Sequence, residues 1–247
     1  MRGLVKVFGD KVAVAGMSMD IPAGSFFGVV GPNGAGKTTS LNMATGLLQP
    51  DGGVVTVHGI DVWANPEAAK SKLGVLPDGM RLFDRLSGRD LLTYAGRLRG
   101  MDAATVAERA EQLLRVLGLQ DSADKQVGDY SAGMTKKISL ACALVHSPSV
   151  LVLDEPFEAV DPVSAAGIRA MLQNFTAQGG TVVLSSHVMA TVESLCTHVA
   201  IINHGQLLAI GTTQEVAAGI SLDQRFASLV GGTGQQEELK WLRPSFG

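Results

Sequence analysis

A loop near the amino terminus, GPNGAGKTT (31–39), combines three glycines with a lysine and two threonines. It matches the pattern G-x-x-x-x-G-K-[ST] and lies between an apolar segment typical of a strand and a segment typical of a helix. Backbone N–H groups of such a loop can surround a polyphosphate, because glycine has no side chain to block the approach. We therefore predict a nucleoside triphosphate site, in which Lys37 reaches the β- and γ-phosphates and Thr38 binds Mg²⁺. The residues assigned to this site are Gly31, Pro32, Asn33, Gly34, Ala35, Gly36, Lys37, Thr38 and Thr39.

Two adjacent carboxylates, Asp154 and Glu155, follow the apolar run in VLVLDEP (150–156). Open α/β sheets bind ligands at the carboxyl ends of their strands. Mg²⁺ prefers one or two carboxylates together with phosphate oxygens, so Asp154 is predicted to bind it through water. Glu155 is predicted to orient and deprotonate the attacking water as a general base. The alternative, a solvated strand end, is disfavoured by the glycine loop in the same chain.

A histidine, His187, ends another apolar run, TVVLSSH (181–187). A lone histidine is more often structural than catalytic, but a parallel strand would deliver this one beside the γ-phosphate. We predict that it donates a hydrogen bond to the γ-phosphate or to the attacking water. Lys37, Glu155 and His187 are therefore the candidate catalytic residues.

These residues need a scaffold in which short strands alternate with helices. The apolar runs and glycine turns predict buried strands at 25–30, 149–156 and 181–187, a glycine-bounded strand at 52–59, a helix at 38–48 and a hairpin at 199–211. This alternation predicts an α/β fold with a mainly parallel sheet.

The region from about 85 to 147 shows helical periodicity and no strand signal. Ser87 and Asp90 have the spacing of a capping box ahead of one helix. Gly118 is the predicted C-cap of the next helix. The apolar face of that helix comprises Val106, Ala110, Leu113, Leu114 and Leu117. We therefore predict a helical segment inserted into the α/β core.

The end of the chain has a different composition from the core. An amphipathic stretch, SLDQRFASLV (221–230), is followed by a glycine-rich segment. We expect disorder beyond residue 231, although a docking element is the alternative for the last residues.

Composition and charge limit the class of protein. The chain has 247 residues, 46% hydrophobic and 17% charged, with a net charge of −3, which gives no electrostatic case for a nucleic-acid partner. Its two cysteines, Cys142 and Cys196, are expected to be buried thiols in a reducing cytosol. No secretory signal begins the chain, and no apolar run approaches the roughly 20 residues that span a bilayer. We expect a chain that is soluble by itself, which another protein must hold at the membrane if it works there.

One longer stretch, DYSAGMTKKISLACALVHSPSVLVLDEP (129–156), carries a family resemblance. It resembles the signature region of ATP-binding cassette (ABC) ATPases, and the order of the loop at 31–38, LVLDEP, AVDP and SSH fits the nucleotide-binding subunit of an ABC transporter. The resemblance covers residues 3 to 220. It implies a P-loop NTPase core with an N-terminal antiparallel β part and an inserted α-helical subdomain at 85–147. The ABC domain would span residues 1–220 and the tail 221–247.

The resemblance also implies roles for residues outside the three motifs described first. Phe8 matches the aromatic residue that stacks on adenine, and Asp161 in AVDP would help to couple two sites across a dimer. The family signature L-S-G-G-Q matches Tyr130 to Met134, with Ser131 and Gly133 kept and Ala132 and Met134 departing from it. Asp78 stands where the family usually has a glutamine that reaches Mg²⁺, so we assign Asp78 to the metal with Thr38 and Asp154.

The function implied by the resemblance is that of an ATP-binding and ATP-hydrolysing subunit, with ATP and Mg²⁺ as cofactors, that powers an ABC transporter. Ser131 of one chain would face the γ-phosphate held by a second cassette, identical or paralogous, in a head-to-tail dimer. A multi-span membrane permease would dock on the surface around 78–100 and hold the chain at the cytoplasmic face of the cell membrane. The compact tail and the SAGM form are closer to exporters than to importers. The alternative is an ATP-dependent regulatory clamp with little turnover and no transport role.

Overall fold

Strands and helices alternate along the chain, as the sequence predicts. The computed structural model describes residues 1–79 and 81–231, so the predicted disorder beyond residue 231 falls outside the described residues. The strands are β1 (Arg2–Phe8), β2 (Lys11–Met17), β3 (Phe26–Val30), β4 (Gly52–Val54), β5 (Thr56–Val57), β6 (Ile60–Asp61), β7 (Leu73–Leu76), β8 (Val150–Asp154), β9 (Thr181–Ser186), β10 (His198–Asn203) and β11 (Gln206–Thr212). The α-helices are α1 (Lys37–Ala44), α2 (Pro66–Lys72), α3 (Gly88–Leu98), α4 (Ala103–Val116), α5 (Ala132–Leu144), α6 (Pro162–Ala177), α7 (Met189–Leu195), α8 (Thr213–Ala217) and α9 (Leu222–Val230).

The central sheet has six strands in the order β11-β10-β3-β9-β8-β7. The strands from β10 to β7 run parallel, and β11 joins β10 as an antiparallel hairpin through His204 and Gly205. Every residue of β3 and β9 is buried, because hydrophobic clusters cover both faces of the sheet. The predicted α/β fold with a mainly parallel sheet is confirmed. This strand order brings the carboxyl ends of β3, β8 and β9 together.

A separate antiparallel sheet, β2-β1-β4, forms the N-terminal part of the molecule, as the resemblance implies. The prediction of one strand over 52–59 is wrong, because β4 pairs with β1 while β5 pairs with β6 in a two-stranded sheet. The break falls at Val55, whose side chain is 3% exposed in the core. Its carbonyl accepts from the N–H of Val62. Val55 thus separates the part of the segment that pairs with β1 from the part that pairs with β6.

The helix after the glycine loop is shorter than the predicted range of 38–48. Helix α1 ends at Ala44, and the N–H groups of Leu47 and Leu48 both donate to the carbonyl of Asn42. Gly46 has a φ of +74° and ends the helical path. The glycine decides the boundary because a left-handed residue cannot continue a right-handed helix.

The helical segment contains α3, α4 and α5. Helix α5 packs against β7, and α3 and α4 pack against α5 and each other. Ser87 caps α3 as predicted, since its Oγ accepts from Asp90 N at 3.1 Å. The reciprocal bond of the predicted capping box is not formed, because Asp90 Oδ2 accepts from the Ser87 hydroxyl at 2.6 Å instead. Gly118 follows α4 with a φ of +64°, also as predicted. The predicted apolar face of α4 is confirmed, with Val106, Ala110 and Leu114 buried, Leu117 5% exposed and Leu113 packed against the same core.

The amphipathic stretch at the end of the described chain is helix α9. Ser221 forms a capping box with Gln224 at its start, and Gly231 ends it with a φ of +74°. Phe226 and Leu229 pack against the main hydrophobic cluster. Among residues 1–79 and 81–231, no helix is both long enough and apolar enough to cross a bilayer.

Candidate active site

A cleft of about 560 Å³ opens at the carboxyl ends of β3 and β8, beside the start of α1. Its walls hold most of the residues that the sequence assigned to a nucleotide. The predicted residues that line it are Phe8, Asn33, Gly34, Ala35, Gly36, Lys37, Thr38, Thr39, Asp78, Asp154, Glu155 and His187. Lys11, Ala13 and Glu158 also line it. Sequence reasoning missed these three because no local pattern distinguishes them from ordinary surface residues.

The glycines of the loop serve the protein's own packing as well as a ligand. A Cβ on Gly31 would lie 2.3 Å from the carbonyl oxygen of Ile202, and one on Gly36 would lie 2.6 Å from that of Ala13. Gly36 also has a φ of +102°. Gly34 differs, because its φ is +80° but a Cβ would meet nothing within 4 Å. The close approach that excludes side chains at two of the three glycines is therefore an approach of protein backbone.

Lys37 is held inside the loop at the first turn of α1. Its Nζ donates to the carbonyl of Gly31 at 2.7 Å and to that of Pro32 at 3.2 Å. Burial lowers the pKa of Lys37, and the charges of Glu155 and Asp154 oppose this shift. The ammonium thus stands between the loop and the two carboxylates, where it can balance the charge of a phosphate.

Asp154 ends β8 with its carboxylate buried, at 3% exposure. Oδ1 accepts from the hydroxyl of Ser185, and Oδ2 has no hydrogen-bond partner among the described residues. A buried carboxylate oxygen without a partner is costly, so this oxygen fits a cation. The described residues contain no group of three or more His, Cys, Asp or Glu that could hold a metal by themselves. The single buried oxygen of Asp154 suits Mg²⁺, which binds through few carboxylates plus phosphate oxygens.

Glu155 and His187 form a hydrogen-bonded pair at the edge of the cleft. His187 Nδ1 lies 3.0 Å from Glu155 Oε1, and the glutamate side chain is 16% exposed while the histidine is 54% exposed. The sequence predicted a role for each residue but not this contact, because it depends on two strands that are not adjacent in sequence.

Five predicted residues do not line the cleft. Gly31 and Pro32 lie behind it and accept hydrogen bonds from Lys37, whereas Ser131, Gly133 and Asp161 lie away from it. Ser131 caps α5, where its Oγ accepts from Met134 N at 3.3 Å, and Asp161 caps α6, where its Oδ1 accepts from Ser164 N at 2.9 Å. The hydrogen bonds from Ser164 hold the pKa of Asp161 below its usual value. A Cβ on Gly133 would lie 3.1 Å from the carbonyl of Ala159, so the start of α5 abuts the segment that leads to α6. Within one chain, Ser131, Gly133 and Asp161 are not brought to the cleft.

Phe8 lies at the rim of the cleft, at the end of β1. Its side chain is 49% exposed, and the ammonium of Lys6 lies 5.5 Å from the ring centroid. An exposed aromatic ring at a cleft rim offers a flat apolar face to a planar ligand.

The chain is similar to known proteins in sequence and in structure. The sequence profile of the family described as ABC transporter matches residues 14–158. The linearmycin resistance ATP-binding protein of Bacillus subtilis (strain 168) is 34% identical over 234 residues, covering 95% of this chain and 75% of that protein. The Nod factor export ATP-binding protein I of Rhizobium sp. (strain N33) is 38% identical over 212 residues, covering 86% of this chain and 70% of that protein. Among solved structures, the ATP-binding subunit of an ABC transporter is similar with a TM-score of 0.87 and 26% identity, over 92% of this chain and 97% of that chain.

Proposed function

Because this chain belongs to the ABC transporter family, we propose that it is the ATP-binding and ATP-hydrolysing subunit that powers an exporter. The observation that carries the proposal is the cleft in which Lys37, Asp154, Glu155 and His187 meet at the carboxyl edge of the sheet. A phosphate-binding loop, a free carboxylate oxygen and a glutamate paired with a histidine are the groups that phosphoryl transfer to water requires.

Each residue has a role that follows from its surroundings. The backbone N–H groups of the loop and the Lys37 ammonium bind the phosphates. Thr38 and Asp154 would hold Mg²⁺, and Asp78 faces the same cleft. When bound, the cation would neutralise part of the phosphate charge. Glu155 accepts the proton of the attacking water. His187 holds the Glu155 carboxylate through Nδ1 and has its other ring nitrogen available for the γ-phosphate or the water.

The residues outside the cleft support a head-to-tail dimer. Ser131 is exposed at the start of α5, where backbone N–H groups and the helix dipole favour a phosphate. Ser131 does not line the cleft of its own chain. The phosphate that Ser131 would bind is therefore held by a second cassette. Asp161, at the start of α6, would link the two sites. Closed two-fold symmetry then gives two identical sites, or two related ones if the second cassette is a paralogue.

The surface around 78–100 supports docking of a membrane permease. Phe83 is 57% exposed and meets Tyr94 edge to face at 5.3 Å between ring centroids, and Leu98 is 67% exposed. A cluster of exposed large apolar side chains is typical of a protein interface. A multi-span permease seated there would hold the chain at the cytoplasmic face of the membrane.

The domain limits and the direction of transport belong to the same proposal. The ABC domain spans 1–220 with a helical subdomain inserted at 85–147, and 221–247 is a tail. Two relatives are named for resistance and for export, which favours an exporter. The Glu155–His187 pair disfavours the alternative of a regulatory clamp without turnover, because such a clamp needs no general base.

Two measurements test the proposal. The purified chain should hydrolyse ATP in a Mg²⁺-dependent manner. Affinity purification from detergent-solubilised membranes of its own cell, followed by mass spectrometry, should recover a multi-span membrane protein at near-equal stoichiometry. Recovery of the chain without a membrane protein, combined with ATP binding and no turnover, would favour the clamp.

A further inference from the structure

Ser185 is a fully buried serine that the proposed mechanism does not use. It lies on β9 directly opposite Asp154 on β8, and its exposure is 0%. Its Oγ donates to Asp154 Oδ1 and accepts from the backbone N–H of Glu155 at 3.0 Å. A backbone N–H can only donate and an ionised carboxylate can only accept, so a hydroxyl is suited to bridge the two.

The first consequence concerns the metal carboxylate. The Ser185 hydroxyl engages Asp154 Oδ1, whereas Oδ2 is buried and has no partner among the described residues. Fixing one oxygen fixes the rotation of the whole carboxylate. The bond therefore determines which oxygen of Asp154 is available to a divalent cation.

The second consequence concerns the candidate general base. Glu155 has a φ of +46°, in the left-handed region that residues with side chains rarely adopt. The hydrogen bond from its N–H to Ser185 Oγ anchors this peptide at the end of β8. The same backbone position brings Glu155 Oε1 within 3.0 Å of His187 Nδ1. Ser185 thus supports the geometry of the Glu155–His187 pair without lining the cleft.

We propose that Ser185 is a positioning residue that orients Asp154 for the divalent cation and Glu155 for the attacking water through one hydroxyl group. The proposal rests on the proposed ATPase function. Residues that orient metal ligands in this way commonly change metal affinity by about 10- to 100-fold when they are removed.

The test compares Ser185→Ala with wild type by two readouts. The first is the Kd for Mn²⁺, measured by EPR of the free ion in the presence of a non-hydrolysable ATP analogue. The second is the kcat of ATP hydrolysis together with the Mg²⁺ concentration that gives half-maximal activity. We expect the Kd for Mn²⁺ and the Mg²⁺ requirement to rise by about tenfold, and kcat to fall by a similar factor.

Two further variants separate positioning from folding. Ser185→Thr keeps the hydroxyl and should recover most of the Mn²⁺ affinity. Ser25→Ala removes another buried serine hydroxyl, which is 4% exposed and donates to the carbonyl of Pro22 at 2.6 Å, at the amino end of β3. It should leave both readouts at the wild-type level.

The outcomes distinguish this inference from the function on which it rests. Wild-type Mn²⁺ affinity in Ser185→Ala overturns the inference, whatever happens to kcat, because a merely structural role would lower activity without a change in metal binding. An equal loss of affinity in Ser25→Ala overturns it as well. A wild-type chain that shows no ATP hydrolysis at all overturns the proposed function instead.

Discussion

The imidazole of His187 and the carboxylate of Glu155 are hydrogen-bonded, with 3.0 Å between Nδ1 and Oε1. Glu155 directly follows β8 and His187 directly follows β9, so 32 positions of sequence separate two groups that touch. A neutral histidine whose Nδ1 donates to Glu155 leaves Nε2 as an acceptor, and a protonated one leaves it as a donor.

Replacement of the candidate base should nearly abolish hydrolysis while leaving ATP binding intact. In Glu155→Gln, the side chain keeps its size but loses the ability to take a proton, so kcat should fall by about 10²- to 10⁴-fold. Phosphate release measures the rate, and a fluorescent ATP analogue measures binding. Glu193→Gln, an exposed glutamate on α7, is the matched control. Wild-type turnover in Glu155→Gln would remove Glu155 as the base.

A bulky cation at the start of α5 should block dimer closure but not ATP binding. Ser131→Arg removes the cap of the helix, which costs about 1 kcal/mol, and places a large side chain where the second cassette would present its phosphate. Static light scattering with ATP in the Glu155→Gln background should show a dimer for the parent and a monomer for the double variant. Ser221→Arg loses an equivalent cap on α9 and controls for that cost. ATP-driven dimers of the Ser131 variant would contradict the head-to-tail site.

The loop should fail when a side chain is added at Gly36, because that side chain would meet backbone. A Cβ there would lie 2.6 Å from the carbonyl of Ala13, at a φ of +102°. We expect Gly36→Ala to weaken ATP binding by at least about tenfold, which is about 1.4 kcal/mol. Gly59→Ala is the matched control, since Gly59 has a φ of +79° but no atom within 4 Å of the added Cβ. Equal ATP affinities in the two variants would show that the structure accommodates the Cβ added at position 36, and would contradict the prediction.

Stability should decrease as the pH falls from 6.5 towards 4. Burial of His146, together with the charges of Arg99 and Arg109, lowers the pKa of His146 to about 4. Between that value and the unfolded value near 6.5 the unfolded chain binds more protons, so the free energy of unfolding is greatest above pH 6.5 and is lost towards pH 4. Because the imidazole is only partly buried, the loss is expected to be on the order of 1 to 2 kcal/mol.

Urea denaturation at pH 7.5 and 5.0 measures this dependence. His146→Gln removes the titrating group and should reduce the difference between the two midpoints. His204→Asn, at the exposed turn between β10 and β11, should leave the difference unchanged. An unchanged difference in His146→Gln would assign the acid sensitivity to other groups.

Local patterns in the sequence determined the classes of element and the chemistry that they carry. The loop at 31–39, the apolar run that ends at Asp154 and the hairpin at 199–211 were all predictable, because each depends on residues that are neighbours in sequence. The break at Val55 and the early end of α1 were not predictable. The first depends on burial of the Val55 side chain in the core, and the second on Gly46 adopting a left-handed conformation that its residue type permits but does not require.

Tertiary structure decided how the functional groups meet. The strand order places β9 beside β8, and only that pairing sets Ser185 against Asp154 and His187 against Glu155. It also decided that Gly31 and Gly36 are packed against the protein's own carbonyl groups, and that Ser131 and Asp161 lie away from the cleft of their own chain. A sequence pattern specifies which groups are available for chemistry. The hydrogen bonds between strands distant in sequence set their distances, because those bonds form only when the sheet is assembled.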